Sequence, residues 1–106
     1  MMQRLVAQDG SVYATVPVVA GPHAWVIGDY EFSTVLVKTV DDKKAGHYSM
    51  IDVRSGRRVA HVECRAPKTK PHAAMFACSA MIDRLRERKG DAEVIHALKH
   101  APELPK

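Results

Sequence analysis

The chain has 106 residues, of which 46% are hydrophobic and 26% are charged, and this composition is typical of one globular domain that spans residues 1–106. Its net charge of +4 is placed unevenly, because residues 54–72 carry a net charge of +5 and the remainder carries −1. No apolar run approaches the roughly 20 residues that a membrane-spanning helix needs. The first residues lack the apolar core of a signal peptide, so we expect a cytoplasmic protein.

The N-terminal two thirds of the chain carries the signals of β-structure. Strand-forming residues at 4–7 and 12–16 flank Asp9-Gly10, a dipeptide that favours a tight hairpin turn. This hairpin should end by Pro17, because proline cannot donate a hydrogen bond to a sheet ladder. Residues 33–40 are rich in β-branched side chains and predict another strand, although their apolar spacing also fits a helix.

A second hairpin is predicted in the middle of the chain. Its strands cover residues 48–53 and 58–64, and Gly56 in the turn between them can take a positive φ. Alternation along the second strand places His61 and Glu63 on one half-solvated face. Val59 shares that face, and Ala60, Val62 and Cys64 lie on the opposite one.

The last third is predicted to be helical. Gly90 ends the first helix, and Asp91 caps a short helix over residues 92–100, which Pro102 and Pro105 terminate in a tail. One apolar stripe of the first helix consists of Met75, Cys78, Ile82 and Leu85. These patterns predict an α+β fold, a mostly antiparallel β-sheet built from hairpins and covered on one face by a C-terminal helix and a short terminal helix.

The basic segment is the strongest functional signal. The connector Cys64–His72 aims cations at a helix N-terminus, where they oppose the usual charge preference and favour a bound anion. The Arg54–Arg58 turn lies at the other end of the same strand, roughly 20–25 Å away at about 3.3 Å per residue, a span comparable with a few phosphates of a nucleic acid. Ordinary solvated turns are the alternative interpretation. We predict that a nucleic acid or a nucleoprotein complex, or otherwise an acidic protein surface, binds Arg54, Arg57, Arg58, Arg65, Lys68 and Lys70.

The connector also resembles a known type of junction. Lys68-Thr69-Lys70 before an alanine-rich helix is similar to the last strand-to-helix junction of double-stranded RNA-binding domains, where lysines at the helix start hold phosphates. The resemblance implies phosphate contacts by Lys68 and Lys70. It is confined to this junction, because the chain begins with a hairpin where that family has a helix, and Pro71-His72 stands where the family continues with helix formers. One Trp, three Tyr and two Phe are few stacking partners, which favours backbone contact over base stacking.

Two other functions stay open. The first is a small accessory inhibitor or adaptor of the kind that phages and plasmids carry, similar to anti-CRISPR proteins, which would act by protein–protein contact through anchors such as Trp25. Exposed sheet edges would also allow a homodimer. The second is a small metal-binding protein that uses His96 and His100, which are four residues apart on one helix face. Because no further ligands complete that set, we predict no metal and no other cofactor.

No catalytic arrangement is visible in the sequence. Ser55 lies in a hairpin turn without the context of a nucleophile elbow. Cys78 lies on the apolar helix stripe, where an unactivated thiol is expected. The carboxylates Asp41 and Asp42, and Asp29 with Glu31, are interpreted as loop charges. We therefore predict a protein that is not an enzyme.

Overall fold

The computed structural model describes residues 1–104, so Pro105 of the predicted tail lies outside the described residues. The elements are β1 (Met2–Val6), β2 (Val12–Ile27), β3 (Tyr30–Val37), β4 (His47–Asp52), β5 (Arg58–Glu63), α1 (Pro71–Lys89) and α2 (Asp91–His100). The five strands form an antiparallel sheet in which each strand pairs with its neighbour in sequence. The two helices pack on this sheet, and the predicted α+β fold is confirmed.

Strands β3 and β4 lie at the centre of the molecule and bury side chains on both of their faces. On the other face from the helices, Leu5 of β1 packs with Val35, Val37 and Ile51, so β1 and the first half of β2 cross over that face. Burying each such side chain contributes roughly 1.5–3 kcal/mol. The core under the helices comprises Ile27, Phe32, Leu36, Met50, Val62, Ala74, Cys78, Ile82, Val94 and Leu98.

Strand β2 is longer than the sequence indicates. Its ladder with β1 ends at Pro17, opposite Met2, and the Val18 N–H donates to the Met1 carbonyl oxygen at 2.9 Å just beyond it. The strand continues to Ile27 and pairs with β3 from Val18 onward, and two register shifts within this pairing let it bend. Trp25 in this second half is partly buried, and its Nε1 donates to Thr34 Oγ1 at 2.8 Å. The second half of β2 is therefore a strand that contributes Trp25 and Ile27 to the core under the helices.

Strand β3 is shifted from its predicted position. It ends at Val37, and residues 38–46 form a loop in place of the last predicted strand residues. The Lys38 Nζ uses its three N–H groups on carbonyl oxygens of this loop and the next strand, at 2.7, 2.7 and 2.9 Å from those of Asp42, Lys44 and His47. One ammonium group thus folds the loop back over the start of β4.

The helices meet at a short junction. Helix α1 has proline in its first turn and basic residues in its last turn, which suit the helix dipole. The Arg86 guanidinium donates to both carboxylate oxygens of Asp91, at 2.7 and 2.9 Å, and this pair joins the end of α1 to the start of α2. Neither helix has the length and apolarity that crossing a bilayer requires.

Candidate functional site

Strand β5 divides the six predicted binding residues into two groups of three. One group lies at or before its start, in the β4–β5 turn, and the other follows its end, in the connector to α1. The length of the strand keeps the groups roughly 20 Å apart. The two groups therefore have different surroundings and have to be assessed separately.

Arg54 of the first group has a structural role. Its Nη2 donates to the Leu98 carbonyl oxygen at 2.8 Å and to that of Ala101, at the C-terminal end of α2. Carbonyls at a helix C-terminus lack partners within the helix and carry a partial negative charge, so a guanidinium suits them. The backbone of Leu104 also donates to the Arg54 carbonyl at 2.8 Å. Arg54 therefore fixes α2 to the β4–β5 turn. Its guanidinium is already hydrogen-bonded to these carbonyl oxygens, so it is a poor candidate for contact with a partner.

The other two arginines of the turn differ in exposure. Arg57 is partly buried, and within residues 1–104 its buried Nε has no hydrogen-bond partner. Its charge lies near Asp9, where hydrogen bonds from Ser11 and, to a lesser degree, the Arg57 guanidinium lower the pKa of the Asp9 carboxyl. Arg58 is exposed at the start of β5. Of this group, Arg58 has the side chain that a partner can reach most easily.

Two lysines of the β3–β4 loop, Lys43 and Lys44, lie at the same end of the sheet as the second group, although they are not among the six predicted binding residues. The β3–β4 loop lies against the connector, because the Cys64 N–H donates to the Gly46 carbonyl at 2.9 Å. Both segments therefore lie at the same end of the sheet. We call this surface the cationic end, and its five exposed cations are Lys43, Lys44, Arg65, Lys68 and Lys70.

None of these five cations is paired with a carboxylate. Among residues 1–104, the ion pairs within 4 Å are His47–Glu63, His61–Asp42 and Arg86–Asp91. The exposed acids close by in sequence are Asp41 and Glu63. The cationic end thus carries an excess of positive charge that its own fold does not neutralise.

The connector that carries three of these cations is locally ordered. Ala66 takes a φ of 45°, and its carbonyl accepts the N–H groups of Thr69 and Lys70 at 3.0 and 2.9 Å. Pro67 is buried within this turn. Helix α1 then begins without an acidic residue in its first turn and without a side-chain cap, so its first N–H groups lack a side-chain acceptor.

A cluster of histidines and carboxylates lies on strands β4 and β5, on the sheet face opposite the helices. In the β4–β5 ladder, His47 pairs with Glu63, and Ser49 pairs with His61. These four side chains share one face because they alternate with the core residues of each strand. The His61 Nε2 lies 2.8 Å from the His47 Nδ1, which in turn lies 3.8 Å from the Glu63 Oε1.

Asp42 completes this cluster from the β3–β4 loop, where it is buried. It is only 2% exposed, whereas Asp41 is exposed. The Asp42 Oδ2 accepts hydrogen bonds from the Thr39 N–H at 3.0 Å, the Thr39 hydroxyl at 2.9 Å and the Ser49 hydroxyl at 2.8 Å. Burial raises the pKa of Asp42, but these hydrogen bonds and His61 outweigh burial and hold the pKa below its ordinary value.

The second oxygen of Asp42 faces a histidine without completing a hydrogen bond. The Asp42 Oδ1 lies 3.3 Å from the His61 Nδ1. The angles at this contact are not those of a hydrogen bond, and the described part of the chain supplies Oδ1 with no other donor. A buried carboxylate oxygen is thus directed at an imidazole ring, which is an arrangement that orients histidine.

The other candidate groups are less organised. The rings of His96 and His100 lie 4.2 Å apart between centroids on α2. Across residues 1–104, the only set of three or more metal-binding side chains is His47, His61 and Glu63, so no third ligand joins the α2 pair. Cys64 and Cys78 are free thiols, and burial raises the pKa of Cys78 to about 12, which makes it a poor nucleophile.

No protein-family model, no curated protein and no solved structure matches this chain. The chemistry of its own residues is therefore the basis for a function. Two arrangements are candidate functional sites. One is the set of unpaired charges of the cationic end, and the other is the histidine cluster with its buried carboxylate.

Proposed function

We propose that this protein is a non-enzymatic, cytoplasmic module that binds the phosphate backbone of nucleic acid through its cationic end. One observation supports this function most strongly: two separate segments place five exposed cations at the same end of the sheet, and no carboxylate of residues 1–104 pairs with them. A surface with unpaired charge of one sign attracts a polymer of the opposite sign and releases its counterions.

The shape of the connector also favours phosphate binding. The turn at Ala66 and the buried Pro67 hold Lys68 and Lys70 on an ordered backbone, so less conformational entropy is lost on binding than with a flexible tail. The first turn of α1 adds N–H groups that suit an anion. The proposed contacts are to phosphates, so little discrimination between base sequences is expected.

The first prediction concerns the lysines of the connector. The double variant Lys68→Gln/Lys70→Gln should weaken binding of a fluorescently labelled DNA or RNA duplex at low salt, since each phosphate that the protein no longer neutralises keeps its counterion. The slope of log K against log salt should become shallower by about 0.9 for each such phosphate. Fluorescence anisotropy over a salt series measures both quantities, and Lys43→Gln/Lys44→Gln should act in the same direction.

A charge-matched control separates local binding from net charge. Arg84→Gln/Arg88→Gln removes the same two charges from exposed positions on α1 and should leave the salt slope close to that of the wild type. Equal losses of affinity in the two double variants would contradict a site at the cationic end. Absence of binding to both duplex and single-stranded nucleic acid at low salt would refute the function itself. Recovery of one stoichiometric acidic protein after nuclease treatment would indicate a protein partner instead.

A further inference from the structure

We infer that His47, His61 and Glu63 form a binding site for a divalent transition-metal ion of the zinc class, and that Asp42 is a positioning residue that orients His61. The ligand atoms of the three side chains all lie within 4.8 Å of one another. They come from adjacent strands, whose backbone hydrogen bonds fix their relative position. The site does not depend on the proposed binding of nucleic acid.

The distances suit an ion between the ligand atoms. A tetrahedral zinc ion lies about 2.0–2.1 Å from its nitrogen and oxygen ligands, which places those ligands about 3.3 Å from one another. In the cluster, the two histidine nitrogens are 2.8 Å apart, and the His47 nitrogen lies 3.8 Å from the Glu63 oxygen. These values lie on either side of the expected spacing. Small rotations of side chains that are 27–71% exposed would bring the ligands into place.

Asp42 explains why His61 presents the correct nitrogen. Histidine that binds a metal through one ring nitrogen usually donates its other N–H to a carboxylate, which fixes the tautomer. The buried Asp42 Oδ1 lies 3.3 Å from the His61 Nδ1 and lacks another donor within residues 1–104. A small ring rotation makes this contact a hydrogen bond. The His61 Nε2 then keeps its lone pair, directed toward His47.

The donor set selects the class of ion. Two imidazole nitrogens and one carboxylate oxygen suit Zn²⁺, Co²⁺, Ni²⁺ or Fe²⁺, whereas Mg²⁺ and Ca²⁺ prefer oxygen ligands alone. Three protein ligands leave at least one coordination position for water. Water can reach the site, because the Glu63 side chain is 71% exposed.

The test is metal binding by the full chain. Isothermal titration with Zn²⁺ should show one ion bound per chain, with no displacement by excess Mg²⁺. His61→Ala should abolish this binding, and Glu63→Gln should weaken it. The absorption spectrum with Co²⁺ should report a site of low coordination number in the wild type. All three ligands are partly exposed, so circular dichroism in the absence of metal should confirm that the variants fold.

The role of Asp42 has its own measurement. Asp42→Asn should weaken Zn²⁺ binding by about 10–100-fold, while saturating Co²⁺ still gives the wild-type spectrum. Nitrogen-15 NMR of the histidines should show His61 with its proton on Nδ1 in the wild type and a mixture of tautomers in the variant. A purely structural role for Asp42 would not change this tautomer balance.

The second histidine pair supplies the control. His96→Ala/His100→Ala should keep the one-to-one binding of Zn²⁺, and Lys68→Gln/Lys70→Gln should keep it as well. The inference is overturned if wild-type protein binds no more Zn²⁺ than His61→Ala does. It is equally overturned if the metal is lost in the α2 variant and retained in His61→Ala, since the ion would then lie on the helix.

Discussion

At the scale of single residues, Gly56 shows how a turn limits the choice of side chain. Its φ is +72°, and a Cβ added there would lie 2.7 Å from the Arg4 carbonyl oxygen and 3.0 Å from the Val6 side chain. Gly56→Ala should therefore lower the free energy of unfolding by about 3 kcal/mol, from left-handed strain and overpacking together. Urea unfolding followed by circular dichroism measures this change.

Gly28 offers a comparison in which the backbone strain is present without the crowding. Its φ is +60°, but an added Cβ would meet only the Ile95 side chain at 3.6 Å, an ordinary contact. Gly28→Ala should cost about 1 kcal/mol. Equal destabilisation at the two glycines would show that the atoms around Gly56 have no energetic effect.

Individual residues also show where sequence reasoning succeeds and where it does not. The positive φ of Gly56 can be predicted because the turn needs it locally. The burial of Asp42 cannot be predicted from the sequence. It depends on two contacts in the folded protein, because Lys38 binds the carbonyl oxygen of Asp42 and the Ser49 hydroxyl donates to its carboxylate. His61 and Glu63 are placed on one face by alternation, but adding His47 requires the strand register, and a slip of one residue would turn it to the other face.

At the scale of elements, hairpins and helices can be predicted from local sequence patterns. A change in the strand with which β2 pairs cannot be predicted in this way. Both helices and the hairpin turns have glycines and periodicity that the sequence displays, although neither helix has a side-chain N-cap and the predicted cap Asp91 is the first residue of α2. Strand β2 passes from β1 to β3 beyond Pro17, and no local pattern encodes that exchange. The cationic end has the same origin, because the loop that carries Lys43 and Lys44 reaches the connector through tertiary contacts such as the Cys64–Gly46 hydrogen bond.

Arg54 tests whether a basic residue of the turn serves the fold or a partner. Arg54→Gln removes the donor to the last carbonyls of α2 and should lower the free energy of unfolding by about 2 kcal/mol, as expected for hydrogen bonds from a charged group. Binding of nucleic acid should stay unchanged apart from the effect of removing one distant charge. Chemical denaturation and fluorescence anisotropy on the same variant separate the two effects.

Arg58 is the matched control for Arg54. It is exposed at the start of β5 and makes no ion pair within residues 1–104. Arg58→Gln should change the free energy of unfolding by no more than about 0.5 kcal/mol. An equally large destabilisation in both variants would contradict the assignment of Arg54 as the residue that fixes α2.

At the scale of the whole molecule, the two cores share strands β3 and β4. Leu36 and Met50 belong to the core under the helices, while Val35 and Ile51 belong to the core under β1 and β2. Removal of either covering layer would expose one face of the same two strands, so we expect the molecule to unfold as one cooperative unit. The histidine cluster lies on β4, which is one of these shared strands, and on its neighbour β5, so its geometry is part of the same unit.

Cys78 reports on this cooperativity. It is completely buried between α1 and the sheet, and its pKa is raised to about 12, so a thiol reagent should reach a reactive thiolate there only after the core opens. In the single-thiol variant Cys64→Ser, the free energy of opening from labelling rates should equal that from urea unfolding. Cys64, which is only partly buried, should label faster in Cys78→Ala.

A free energy of opening for Cys78 that is well below the free energy of global unfolding would contradict this cooperativity. It would show that α1 detaches from the sheet separately, because detachment of that helix is sufficient to expose the thiol while the core on the opposite face stays closed.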